Sequence, residues 1–339
     1  MDFSALVFLW QISSKMILFF IMLLEPIIAP GPPGSWDDMW VLDGHVIIVE
    51  DTLKMWYLGK AEDTVVYNRL GIGYAYSADT GKSWQKYPGN PVFVSDSNSK
   101  WEHASTGRDG LWEAVVIYEE GEYKMWYQCW DESNCRNTLY ARSDDGINWE
   151  RRNQGKPVVY TGYYEGGMPQ WDSDYAGARA VIKRNGMFYL FYEGESFGMT
   201  GSFSMGLAIG TNETTFVKVD TTKPIFTTIG TPDTVWAGVS IIPNVILDDE
   251  TFILLYSSNS SHTGLTTVGL AVSKDGVNWE RYSRNPICNL KKMGFPCGAL
   301  TSVYWDFLSP GLTKELVAIL RSIPNGIYSC KMSFLLVKP

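Results

Sequence analysis

The feature that most constrains this chain is an aromatic phrase that returns at nearly constant spacing. "LKMWYLG", "YKMWYQC", "FYLFYEG" and "FILLYSS" put Tyr57, Tyr127, Tyr192 and Tyr256 at steps of 70, 65 and 64 residues, and a further 64 reaches Leu320 in "ELVAILRSI". Each phrase is followed by a second strand-like run, "LGIGYAYS", "NTLYARS", "FSMGLAIG" or "VGLAVS", and then by a closing proline at 91, 157, 224 or 286. After residue 30 no segment sustains a 3.6-residue apolar period, so helices are not expected to carry the fold. Long repeats, each made of several short strands, are the mark of propeller blades. The reading is an all-β, five-bladed β-propeller over residues 30–339, with blades at approximately 35–93, 105–159, 171–226, 232–288 and 298–338.

A second phrase lies inside the first. "SADTGKSWQKYPGNPVF" at 77 returns as "SDDGINWERRNQGKPVV" at 143 and "SKDGVNWERYSRNPIC" at 273. The Asp side chain can accept nearby backbone N–H groups, Gly supplies a left-handed residue, and the Trp packs between sheets. Asp79, Asp145 and Asp275 are therefore expected to build turns on the outer part of a blade. The third copy is "GTNETTF", which keeps an aromatic at Phe216.

The N-terminus reads differently. Lys15 precedes nine apolar residues, then Pro26, the small Ala29 and a Gly/Pro-rich stretch. That pattern fits a secretory signal, or a membrane anchor with Lys15 badly placed within the span. Residues 1–29 are set apart on this ground, and a secreted or extracytoplasmic location follows. Among the five cysteines, Cys129 with Cys135 and Cys288 with Cys297 have spacings that would allow local bridges, leaving Cys330 over. Buried thiols are the alternative. Asn212 and Asn259 head glycosylation sequons.

A net charge of −9 and a pI near 5.0 exclude a nucleic-acid partner, whose phosphates need a basic face. The 14 Trp and 19 Tyr serve packing, or offer ring faces to sugars. With three His and no Cys/His ligand spacing, a zinc centre is not expected.

In a propeller the first strand of each blade lines a central funnel. Counting back fourteen residues from each aromatic Tyr gives Asp43, Glu113 and Ala178, with Asp174 slightly earlier. Two carboxylates at one height facing the axis meet the requirement for glycoside hydrolysis. The other reading is that they cap strand ends or hold a structural cation. Trp40, His45, Arg108, Asp109, Trp112, Trp171, Asp172 and Arg179 fall at the same rim, as sugar-binding candidates or as structural groups. The stretch from Tyr163 to Trp171 and "WEHASTGRDG", with His103, read as loops over the funnel.

The strand that opens at Asp43 and the "S-x-D-G-x-x-W" to "N-P-V" endings resemble the five-bladed β-propeller glycosidases, glycoside hydrolase families 43, 32, 62, 68 and their relatives. The resemblance covers about residues 35–338. It implies a base or nucleophile at Asp43, although the family's Asp-Pro is here Asp-Gly. It also implies a second Asp on blade 2 and an acidic Glu on blade 3. The family 43 "W-A-P-D" motif would put that second Asp at Val115. The family 32 "W-E-C-P" motif matches Trp112-Glu113-Ala114 instead and would make Glu113 the acid. The blade 3 slot falls on Gly177, with Asp174 and Glu193 nearby.

The expected function is hydrolysis of a poly- or oligosaccharide by carboxylate acid/base catalysis at the funnel mouth. No organic cofactor is expected, a structural calcium on the axis being the one ion allowed for. The partner is a carbohydrate, with no membrane unless the N-terminus is kept as an anchor. One alternative is a non-catalytic glycan-binding propeller. Another is a sialidase, because "SADTGKSW" fits the Asp-box pattern, but that fold uses six blades and three clamping arginines.

Overall fold

The structure is a computed structural model. It describes residues 5–13, 16–23, 26–62, 70–105, 110–162, 170–196, 202–238, 240–258, 267–289, 298–306, 314–322 and 326–336. Side chains are described within 26–289 and at Ile327.

The described chain is almost entirely β, in successive antiparallel meanders. Strands β1 (Ala5–Ser13) and β2 (Met16–Leu23) form a hairpin. The first meander is β3 (Trp40–Val49), β4 (Thr52–Lys60), β5 (Leu70–Ser77) and β6 (Gln85–Lys86), with β7 (Phe93–Val94) returning to β5. The second is β8 (Leu111–Glu119), β9 (Glu122–Trp130), β10 (Arg136–Ser143) and β11 (Glu150–Arg151). The third is β12 (Tyr175–Arg184), β13 (Met187–Glu195), β14 (Ser204–Gly210) and β15 (Phe216–Lys218), tied to the second by one parallel pairing between Arg136 and Tyr175. The fourth is β16 (Ile241–Asp248), β17 (Thr251–Ser258), β18 (Thr267–Ser273) and β19 (Glu280–Arg281), with β20 (Cys288–Asn289) on β18. Strands β21 (Gly298–Asp306), β22 (Lys314–Ser322) and β23 (Gly326–Leu336) follow.

The hairpins turn where the sequence permits left-handed backbone. Glu120-Gly121 and Asn185-Gly186 both have positive φ at each position, the requirement of a type I′ turn. The first strands of the meanders pack side by side: β3 on β8, β8 on β12, β12 on β16, β16 on β21, and β21 back on β3. The result is a propeller-like arrangement around a common centre.

The apolar core follows from this stacking. One layer joins the first meander to the second, with Trp56, Tyr74, Met125 and Tyr127 buried together. A second layer lies around Trp126, Phe188 and Tyr192, and a third around Phe191, Phe252 and Tyr256. The "M-W-Y" run is thereby explained. Met55, Trp56 and Tyr57 are all enclosed, because a sheet covered on both faces buries consecutive residues.

Residues 5–23, set apart in the sequence, lie as β1 and β2 on the outer edge of β23. Ile27 and Ile28 also donate to the Ile327 carbonyl. Among the described residues no helix is long and apolar enough to cross a membrane. The proposed Cys129–Cys135 bridge does not form: Cys129, Cys135 and Cys288 are buried thiols, and Cys135 donates toward the Ser133 carbonyl. Cys297 lies outside the described residues and Cys330 outside the described side chains.

The repeated Asp phrases are turns. The Asp145 carboxylate accepts the backbone N–H groups of Ile147 and Asn148 at 2.8 and 2.7 Å, and Asp275 does the same for Val277 and Asn278. Those hydrogen bonds hold Asp145 down at about 2, against burial that would raise it. In the third meander Asn212 takes the Asp role and caps Thr214 and Thr215. The turns also lock neighbouring meanders together: the Trp56 indole N–H donates to the Gly146 carbonyl, and that of Trp126 to the Glu213 carbonyl.

Candidate functional site

Three inner strands, β3, β8 and β12, share a local irregularity near the cavity. Pairing shifts register between Leu42 and His45 on β3, between Leu111 and Ala114 on β8, and between Ala178 and Ala180 on β12. A bulge adds a residue to one strand and turns its side chain out of the regular alternation. The residues so placed are Asp43, Glu113 and Arg179. Asp43 also has a left-handed φ of 51°, a conformation that costs a non-glycine residue energy and concentrates at functional sites. Gly44 completes the bend, since a Cβ there would meet the Met55 sulfur at 2.9 Å.

Asp43, His45, Glu113 and Arg179 line one cavity with Ala114, Val115 and Ala178, with room for about one water molecule. The two carboxylates found by counting in the sequence therefore do meet. The counted third slot, Ala178, lines the cavity with them, and Arg179, the next residue in the β12 bulge, brings a cation to it.

Arg179 ion-pairs with Glu113, and its Nε lies 3.8 Å from Glu193 Oε2. Glu193 Oε1 in turn takes Arg136 at 2.7 Å. All four side chains are buried. Glu113, expected as the acid, has one carboxyl oxygen taken by the guanidinium of Arg179. Among the described residues no group of three or more His, Cys, Asp or Glu could hold a metal ion. His45 Nδ1 accepts the Val116 N–H at 3.3 Å, which leaves its proton on Nε2. Burial, then Arg179, pull His45 down to about 4, so the ring is neutral at ordinary pH.

The rim candidates divide. Asp174 is partly exposed and accepts the Ser173 hydroxyl at 3.1 Å. Trp112 is partly exposed, with Arg136 5.7 Å from its ring. Trp40 stacks on Lys60 at 4.4 Å. Arg108 and Asp109 lie outside the described residues, as do 163–169 of the expected loop. His103 is exposed.

Trp171 and Asp172 are corrected from sugar binding to structure. Asp172 is fully enclosed, accepts the Tyr192 hydroxyl at 2.9 Å and pairs with Lys218 at 2.6 Å, while Trp171 stacks on Tyr192. The same cassette recurs. Tyr57 donates to Asp37 beside Lys86, Tyr127 to Glu102 beside Arg151, and Tyr256 to Asp233 beside Arg281. Burial first, and the neighbouring carboxylate next, raise all four phenols. An acid before the inner strand, the aromatic Tyr and a base on the fourth strand thus pin each meander. The signal was in the sequence: Trp36-Asp37, Trp101-Glu102 and Trp171-Asp172 recur at steps of 65 and 70.

Sequence reasoning missed Glu195. It lies at the end of β13 opposite Tyr175, is 1% exposed, and among the described residues neither carboxylate oxygen has a hydrogen-bond partner. Burial raises it to about 7; Arg136 lowers it, and Glu193 and Asp174 add to the rise. No regularity of spacing marks it, since the equivalent positions on β4 and β9 are Lys60 and Trp130.

No protein-family model matches the chain. Among curated proteins, an uncharacterised protein from each of two Mycobacterium tuberculosis strains is 24% identical, covering 55% of this chain and 76% of its own length. Three solved structures resemble the fold. A glycosyl hydrolase from Bacteroides ovatus has a TM-score of 0.63 at 15% identity, over 88% of this chain and 84% of that one. A thermostable family-43 glycoside hydrolase has a TM-score of 0.60 at 16% identity, over 91% and 92%. A family 117 glycoside hydrolase from Zobellia galactanivorans has a TM-score of 0.61 at 15% identity, over 94% and 90%.

Proposed function

We propose that this chain is a glycoside hydrolase acting on a poly- or oligosaccharide, built on a five-bladed β-propeller. The observation that carries the reading is the meeting of Asp43 and Glu113 in one axial cavity, each delivered by a bulge on a neighbouring inner strand. The closed sequence of inner-strand neighbours and the 64–70-residue repeat support five blades. The likeness to glycoside hydrolase folds supports the carbohydrate substrate.

In this mechanism Asp43 is the base or nucleophile. Glu113, fixed by Arg179, supplies negative potential beside it. Asp174, the partly exposed carboxyl ahead of β12, is the proton donor to the leaving oxygen. Trp112 offers a ring face to the sugar. The apolar run after Lys15 supports a secreted or extracytoplasmic location, as a leader or an anchor, and no organic cofactor is needed. The test is product release by pure protein on arabinan, xylan, fructan and mannoside substrates. Turnover of one of them, lost in Asp174→Asn, supports the reading.

One observation favours a second reading. The blade 3 slot that the resemblance gives to an acid is Gly177, and the charged group that β12 brings to the cavity is the cation Arg179, which suits a propeller that binds glycans without cleaving them. Glycan binding unaltered by Asp43→Asn, with no turnover on the panel, would select it.

A further inference from the structure

The charged groups between the second and third meanders form a connected series. Glu113 pairs with Arg179, Arg179 reaches Glu193 at 3.8 Å, and Glu193 holds Arg136 at 2.7 Å. Glu195 ends the series two residues beyond Glu193. All five are buried. Counted as ions these five are three carboxylates and two guanidiniums, a net charge of −1, with the buried Asp43 a further carboxyl beside Glu113 and Arg179, in surroundings that tolerate no net charge cheaply. A proton on Glu195 brings the series to neutrality.

The geometry at Arg136 shows what would follow from losing that proton. Its guanidinium is walled by Tyr175 at 4.2 Å, Trp130 at 5.6 Å, Trp112 at 5.7 Å and Phe203 at 5.9 Å. One of its groups serves Glu193, while among the described residues its buried Nε–H has no acceptor. Both Glu195 oxygens are likewise buried and unmatched among the described residues. A donor and an acceptor of opposite charge thus stand unbonded on nearby strands, Arg136 paired with Tyr175 and Tyr175 with Glu195. The groups facing Glu195 are Arg136 on β10, Glu193 on β13 and Asp174 ahead of β12.

We propose that Glu195 is a positioning residue of the axial site: neutral, it completes the charge balance of the series; ionised, it takes Arg136 from Glu193, which then draws Arg179 off Glu113. The step is loss of one proton to solvent, with no bond made or broken elsewhere. It rests on the axial site proposed above for its effect on turnover, but the titration itself does not. Burial that raises Glu195 to about 7 places the change near neutral pH.

The experiment has two arms. Tryptophan fluorescence of the full chain, followed from pH 5 to 9, should show a one-proton transition near pH 7, reported by Trp112 and Trp130, and absent in Glu195→Gln. Carboxyl ¹³C resonances of the glutamate-labelled wild-type protein should include one that titrates near pH 7, a readout that needs no variant. On a substrate found by the panel, Glu195→Gln should keep its rate at pH 6 within about threefold and lose the alkaline limb near 7. A fluorescence transition that persists in Glu195→Gln, or no glutamate titrating above pH 6, overturns the proposal. Equal loss of rate at every pH overturns the positioning role and makes Glu195 a catalytic acid. A panel without turnover bears on the hydrolase reading alone.

Discussion

Arg179 on β12 reaches across to the neighbouring inner strand and ion-pairs with Glu113 on β8. Both are buried, so neither charge has water to fall back on. Removing one partner of such a pair leaves the other uncompensated, at a cost of about 3–5 kcal/mol. Arg179→Met should lower the urea midpoint accordingly. The double variant Arg179→Met/Glu113→Leu should recover most of the loss, because it removes both charges. Equal losses in single and double variants would contradict the pairing.

The Tyr–acid–base cassettes make a different prediction. Asp172→Ala strips the partly buried Lys218 and the enclosed Tyr192 of their acceptor and should cost about 3 kcal/mol, the lower end for a broken buried pair. Tyr192→Phe removes one hydrogen bond from a carboxylate that keeps Lys218 and should cost about 1–2 kcal/mol. Specific activity per folded molecule should be unchanged in Tyr192→Phe. A loss of turnover with an unchanged melt would return this cassette to the active site.

Asp145→Ala removes the acceptor for two backbone N–H groups in an exposed turn. By analogy with helix capping the loss is about 1 kcal/mol. It should appear as a small fall in thermal midpoint, with activity intact.

His45 gives stability a pH dependence. Its folded value lies at about 4, below the ordinary 6.5, so the unfolded chain binds the proton first as pH falls. The contribution is fully present above pH 6.5 and is lost progressively down to about 4. At 1.36 kcal/mol per unit the total is up to about 3 kcal/mol. Urea melts at pH 7, 5.5 and 4.5 should show this slope in the wild type and a shallower one in His45→Gln.

Much of this architecture was legible in the sequence because a repeat makes each strand predict the next. The Tyr57, Tyr127, Tyr192 and Tyr256 strands stand in register, and the Asp145 and Asp275 turns do what short polar side chains beside Gly do anywhere. Asp43 and Glu113 were found by counting, since equivalent bulges preserve the spacing on β3 and β8. Arg179 follows the counted slot Ala178, at the place that Gly44 and Ala114 hold on β3 and β8, so the repeat itself announces no charge there. Asp172 was misread because an acid at a strand entrance looks the same whether it meets solvent or a buried Tyr and Lys. Glu195 was invisible for a related reason. Its raised affinity for a proton comes from its enclosure and from Glu193 and Asp174, which only the folded chain brings around it.

In the function proposed, Asp43 acts on a glycosidic bond. The most direct test is the rate of sugar release by wild type and Asp43→Asn on whichever substrate of the panel is cleaved, with a melt run on both. Loss of a positioned base predicts a fall on the order of 10²–10⁴-fold in rate, with a urea midpoint close to wild type. An Asp43→Asn variant that releases sugar at the wild-type rate would contradict the account.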